Sequence, residues 1–289
     1  MKPLYQFSLR SFFLLLSCIA VVLAVFARYC ADVAARNAAI LAIKDELGVG
    51  ADLWSANGGL IENPQDGDPV SIHVGWLDSD RLVRFLSRCA RVKSVRELSI
   101  WGATWSPEVL ANVPRNPQVR TLHIQSARGL TLETCLLLVS KFPNICELDV
   151  YQSDIRQDGF CSLRALHHLR KIELGLHDIP GEDIVDACLF LPGLEYLTIR
   201  RTDLSGELHR LNGLPRLEVL HLHLSDYSEG DLAGFLDHTT CRRVCVTGGT
   251  LVNLDVLETR IVDKEKLTIF DWGPGTTYRG VKCTRPSEK

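Results

Sequence analysis

Short apolar-x-apolar pairs recur along most of this chain. They are Ile72/Val74, Leu98/Ile100, Leu122/Ile124, Leu148/Val150, Ile172/Leu174, Leu197/Ile199, Leu220/Leu222, Val244/Val246 and Leu267/Ile269, at intervals of 26, 24, 26, 24, 25, 23, 24 and 23 residues. Alternation of this kind predicts a short strand with one buried face, because successive side chains point to opposite sides. Most copies carry a further apolar residue three positions before the pair (Val95, Val119, Ile145, Leu169, Leu194, Leu217), and several carry another five positions after its second member (Trp105, Ile155, Ile179, Leu204). The second half of each unit changes period. SPEVLANV, TLETCLLLVSKF and GEDIVDACLF space their apolar residues as helices do, with start signals at Ser106-Pro107 and Thr131. A unit this small cannot bury its apolar face alone, so neighbouring units must stack and share one core.

The repeating unit follows the pattern LxxLxLxxNxL, and from about residue 70 to 272 the chain resembles leucine-rich repeat proteins. The resemblance implies an α/β solenoid, with a parallel sheet on the concave side and helices on the convex side. One position departs from the family. Where the best-known repeats place Asn, this chain has Ala103, Ala127, Ser153, His177, Thr202, Ser225 and Gly249, so no buried amide ladder is expected. That departure points to a looser bacterial subtype. The opening FSLRSFFLLL, with a short Ala-rich helix and degenerate repeats after it, looks like the anchored leucine-rich repeat proteins of planctomycete bacteria.

The N-terminus has a different pattern. Ser11 to Ala27 is uncharged and apolar; its 17 residues form a helix of about 25 Å, short of a hydrocarbon core of about 30 Å. Arg10 and Arg28 can snorkel to the two interfaces, with Tyr5 and Tyr29 as interfacial rings. The alternative is a cleaved signal peptide, with Val25-Phe26-Ala27 as the cleavage site. An uncleaved anchor is favoured because Phe26 and Arg28 make a poor cleavage region. A lipoprotein box at Cys18 is disfavoured because the apolar run continues past it. Lys2 and Arg10 precede the span, so the positive-inside bias puts the N-terminus in the cytoplasm and the repeats outside it. The expected organisation is a cytoplasmic tail (1–10), an anchor (11–27), a juxtamembrane helix and loop (28–69), the repeat domain (70–272) and a C-terminal tail (273–289). The helix is read from residues 31–47, with Ala39, Ile40, Ile43 and Leu47 on one face, and the Gly, Asn, Pro and Asp-rich stretch 48–69 is read as loop.

Composition narrows the function. With 46% hydrophobic and 23% charged residues the chain is globular, and a net charge of -3 gives no global attraction to nucleic acid. The ten cysteines contain no CxxC, so neither a zinc module nor a regular disulfide framework is indicated. Cys135 and Cys161 fall where other units have Ala111, Val185 and Ala233, which reads as a small apolar slot. There is no GxSxG, HExxH, P-loop or strand-to-helix GxGxxG, so no enzyme and no cofactor are expected.

His221 and His223, in LEVLHLHL, are the one metal-like motif. The repeat places His221 at the outward middle of its pair, equivalent to His73, Ser99, His123, Asp149, Glu173, Thr198, Cys245 and Thr268. His223 falls in the row Gly75, Trp101, Gln125, Tyr151, Gly175, Arg200, Thr247 and Phe270. Both are therefore expected on the open concave face. Zinc requires a third or fourth ligand, for which the flanking strands offer only Cys245, while Arg200 repels a cation. A metal-dependent site remains the alternative to plain exposed histidines. The expected ligand surface for an unidentified protein or peptide comprises Trp101, Asp149, Tyr151, Glu173, Tyr196, Arg200, Arg201, His221 and His223, since Trp, Tyr and Arg are the commonest interface anchors. The function expected is a membrane-anchored, extracytoplasmic interaction module, with a secreted or cytoplasmic adaptor as its alternative.

Overall fold

A computed structural model describes residues 9–47, 51–55, 69–155, 159, 162–175, 179–247 and 267–270. The tail 273–289, Cys161, His177 and Gly249 lie outside the described residues. Ten strands form one sheet in chain order. They are β1 (Ala51–Ser55), β2 (Pro69–Gly75), β3 (Glu97–Trp101), β4 (Thr121–Gln125), β5 (Glu147–Tyr151), β6 (Lys171–Gly175), β7 (Tyr196–Arg200), β8 (Val219–His223), β9 (Arg243–Thr247) and β10 (Leu267–Phe270). From β2 onward every neighbour is parallel, in the register that the apolar pairs require. Ile72, Leu98, Leu122, Leu148, Ile172, Leu197, Leu220, Val244 and Leu267 stand side by side. Those of the row from Ile72 to Val244 are at most 2% exposed, and Val95, Val119, Ile145, Leu169, Leu194 and Leu217 join them in one continuous core.

The returning segments lie on the other side. They are α2 (Ser79–Cys89), α3 (Pro107–Ala111), α4 (Leu132–Lys141), α5 (Gly181–Leu189) and α6 (Glu229–His238), with 3-10 turns at Ser162–Ala165 and Leu208–Gly213. Ser106 and Thr131 cap α3 and α4, each side-chain oxygen accepting from the backbone N–H three residues on, and Pro107 sits in the first turn of α3. Ser228 and Asp231 form a reciprocal capping box on α6. Cys135, Val185 and Ala233 are buried as the small apolar slot requires, whereas Ala111 is exposed because α3 ends there. His167 and His168 lie in an exposed turn.

Backbone hydrogen bonds take the place of an amide ladder, as the missing Asn residues require. Past the strands, Trp76, Gly102, Ser126, Gln152 and Arg201 each donate their N–H to the last strand carbonyl of the next unit, at 2.7 to 3.0 Å. Arg128, Asp154 and Asp226 then donate to Ala103, Ala127 and Thr202 of the unit before. These turns share a left-handed residue immediately after the strand: Trp76, Gly102, Ser126, Gln152, Arg201 and Leu224 have φ between 49° and 64°. Short hydroxyls complete the turns. Ser153 Oγ accepts from Ala127 N and donates to Tyr151 O, and Ser225 Oγ donates to Ile199 O.

The apolar stretch and the juxtamembrane helix belong to one element, and the stretch read as loop holds a strand. A single helix, α1 (Leu9–Leu47), runs through the apolar stretch and the Ala-rich stretch without interruption. Leu16, Ile19, Val22, Leu23, Val25 and Phe26 are exposed, whereas Ile40 and Ile43 are fully buried where α1 packs on α2. Arg88 of α2 donates to the carbonyl of Ala42 across this junction. Between α1 and β2, a stretch read from sequence as loop contains β1, which pairs antiparallel with β2. Together the second half of α1 and β1 close the first end of the solenoid, where an open core and a bare sheet edge would otherwise face water.

Candidate concave binding site

Three rows of side chains share the face opposite the helices. The row before each apolar pair holds Ser71, Glu97, Thr121, Glu147, Lys171, Tyr196, Val219 and Arg243; the row within it holds His73, Ser99, His123, Asp149, Glu173, Thr198, His221 and Cys245. The row after it holds Gly75, Trp101, Gln125, Tyr151, Gly175, Arg200, His223 and Thr247. Trp101, Asp149, Tyr151, Glu173, Tyr196, Arg200, His221 and His223 therefore lie on one face. Arg201 is corrected: it is the exposed left-handed residue after β7, at the rim of the face and not within its rows.

The polar side chains form cross-strand pairs. His123 sits between Glu97 and Asp149, at 3.4 Å from each. Its hydrogen bond to Asp149 raises its pKa above 6.5, helped by the charges of Asp149 and Glu97 and opposed by burial. Asp149 and Glu173 are in register on β5 and β6, but each turns to a cation, Asp149 to His123 and Glu173 to Arg200. The two carboxylates thus face different partners. The Arg200 guanidinium also lies 5.9 Å from the centroid of the Tyr151 ring, within range of a cation–π contact of about 0.5–1 kcal/mol. Gly175 makes this arrangement possible, because a Cβ there would come within 2.2 Å of the Tyr151 ring.

His221 and His223 are neighbours on β8, with ring centroids 6.2 Å apart and planes at 79°. Burial lowers the pKa of both below 6.5. His223 and Arg200 lower His221 further, and Arg200 and Arg201 lower His223. The positive field favours neutral imidazoles and opposes a bound cation. Cys245 is in register with His221 but buried, and no group of three or more His, Cys, Asp or Glu is placed to hold a metal among the described residues.

Aromatic surface concentrates at the first units. Trp101 is 47% exposed, and its Nε1 donates to Ser99 Oγ at 2.9 Å. Trp76, which the sequence pattern passes over, is 80% exposed at the adjacent rim, and a Cβ on Gly102 would lie 2.6 Å from its ring. The available signal was Gly102 itself, a glycine immediately after a strand with a tryptophan 26 residues before it. Tyr196, 42% exposed, stands beside Lys171 on the leading edge of the sheet.

Units of 23 to 26 residues, with parallel strands, left-handed turns after six of them and returning helices or 3-10 turns around one core among the described residues, define a leucine-rich repeat solenoid. The structure is similar to an internalin (inlF) from Listeria monocytogenes, at 15% identity and a TM-score of 0.47, covering 79% of this chain and 61% of that one. It is also similar to internalin C2 from Listeria monocytogenes, at 15% identity and a TM-score of 0.44, covering 82% of this chain and 92% of that one. A protein from Bacteroides fragilis is similar at 16% identity and a TM-score of 0.45, covering 61% of this chain and 65% of that one. The chain thus spans less than two thirds of the first and third of these. No family model matches the sequence, and no curated protein matches it.

Proposed function

We propose that the protein is a membrane-anchored, extracytoplasmic and non-enzymatic binding module whose concave face holds a protein or peptide. The observation that carries this reading is the alignment of Trp101, Tyr151, Tyr196 and Arg200 on one open face, with paired charges around them. Large flat side chains bury much area at little entropic loss, which is why interface anchors are drawn from these types. Neighbouring strands are about 4.8 Å apart, so nine parallel strands make a face about 40 Å long, enough for a standard protein interface. The anchor reading is supported by the exposed apolar surface of α1 over Leu16–Phe26. The helix carries an apolar, near-uncharged window long enough to cross a bilayer.

The test uses full-length protein in membranes, with a photo-crosslinking residue at Trp101 or Tyr196 and, for comparison, at Glu133 on the convex side. A partner adduct is expected from the concave positions. Tyr196→Ala with Arg200→Ala should weaken capture by more than about 1 kcal/mol without unfolding the domain, while Glu133→Ala with Glu182→Ala should leave capture unchanged. Adducts from Glu133 alone would assign the binding face to the helices.

A further inference from the structure

We infer that the cleft between α1 and the turn from α2 into β3 holds the headgroup of an anionic phospholipid from the bilayer that α1 enters, an inference resting on the anchor reading above. The cleft has a volume of about 730 Å³, within the range of small-molecule sites. Its solenoid wall presents Arg88, Arg91, Lys93 and Ser94, and its α1 wall presents Tyr29 and Asp32 followed by small alanines. Three cations against one carboxylate make it electropositive, in a protein whose net charge is -3. Arg88 is held in place by its bond to the Ala42 carbonyl, while Arg91 and Lys93 are exposed.

Position along α1 selects a lipid as the source of the anion. Every described side chain from Leu16 to Asp32 is exposed, and partial burial against the solenoid begins at Val33. With the apolar run ending at Ala27, a rise of about 1.5 Å per residue sets Tyr29 about 3 Å and Asp32 about 8 Å beyond it. The headgroup layer extends about 5–8 Å from the hydrocarbon. The mouth of the cleft at Tyr29 and Asp32 therefore lies among the headgroups, with Tyr29 as an interfacial ring; its far end at Ala42, where Arg88 is bonded, is about 22 Å beyond the apolar run, which leaves the exposed Arg91 and Lys93 as the cations for a headgroup phosphate. Phosphate accepts hydrogen bonds from guanidinium and ammonium donors, and each basic side chain near an anionic surface strengthens attachment about five-fold.

The experiment places the full chain in nanodiscs of mixed phosphatidylcholine and phosphatidylglycerol, extracts it in mild detergent and reads retained lipid by native mass spectrometry. Wild type is expected to retain phosphatidylglycerol selectively. Arg91→Ala with Lys93→Ala should lower that retention at least ten-fold with an unchanged melting profile, Arg91→Lys should keep it, and Arg242→Ala with Arg243→Ala at the far end should not affect it. Equal retention by wild type and the Arg91/Lys93 variant overturns the inference, as does displacement of the lipid by millimolar inorganic phosphate, which would make the site one for a free anion. A chain that fails to stay in phosphatidylcholine discs overturns the anchor reading itself. A chain that stays but shows no preference between the two lipids overturns this inference alone.

Discussion

His123 and His221 occupy one row of the concave face and His223 the next, yet their surroundings drive them in opposite directions. The hydrogen bond to Asp149 raises His123, so its stabilising contribution is fully present below about pH 6.5 and is lost as the pH rises through its folded pKa. His221 and His223 are lowered by burial and by cationic neighbours, so their contribution is present above about pH 6.5 and is lost as the pH falls through their folded values. Thermal melts between about pH 5 and 8 separate the two. His123→Gln should melt below wild type at the acid end and converge with it as the pH rises, whereas His221→Gln with His223→Gln should gain on wild type at the acid end. A His123→Gln deficit independent of pH would refute the ion-pair account. The row membership of all three histidines was legible in the sequence, because an outward position needs only the two-residue alternation. Their partners were not. Glu97 reaches His123 from the preceding strand and the preceding row, a contact across 26 residues that depends on side-chain direction as well as register.

At the scale of the element, the strands were the most legible part because each repeats a two-residue signal in a fixed place. The caps were legible too, since Ser106, Thr131 and Pro107 act on the backbone within three residues of themselves. The left-handed turn after β2, β3, β4, β5, β7 and β8 was hidden because only Gly102 advertises it, while Trp76, Ser126, Gln152, Arg201 and Leu224 adopt the same conformation against their own preference. Inter-unit hydrogen bonds hold Trp76, Ser126, Gln152 and Arg201 there. Leu224 bears this conformation with a partly exposed side chain, at a penalty of about 1–2 kcal/mol for a non-glycine residue. Glycine removes that penalty and gives back about 0.5–1 kcal/mol through the freedom of the unfolded chain. Leu224→Gly is therefore expected to raise stability by about 0.5 kcal/mol in urea unfolding. A loss of 1 kcal/mol or more would mean that the Leu224 side chain, not the turn, sets the stability there. Strand β1 escaped notice for a different reason. Its residues Ala51–Ser55 stand among turn-forming residues, and only the open edge of β2 makes them a strand.

The whole molecule joins an exposed apolar helix to a one-dimensional stack, and the junction is the second half of α1. Ile40 and Ile43 are fully buried against the first unit, and burying each side chain contributes about 1.5–3 kcal/mol. A chain beginning at residue 30 should therefore be folded and soluble, while one beginning at residue 48 should lose about 3–6 kcal/mol and aggregate. Scattering and chemical denaturation of the two truncations decide this. Equal stability would show that α1 does not close the stack. That dual role was not legible: the apolar stretch and the amphipathic stretch each gave a clear signal, but nothing local marked them as one rigid rod. The continuity of α1 has a mechanical consequence. On the anchor and binding readings proposed above, pull exerted by a partner on the concave face would pass through the first unit into the α1–α2 junction and on to the anchor through the continuous helix. In a stack where each unit leans only on its neighbours, such load would peel units from the end remote from α1, and the clamp at Ile40, Ile43 and Arg88 would be the last to yield.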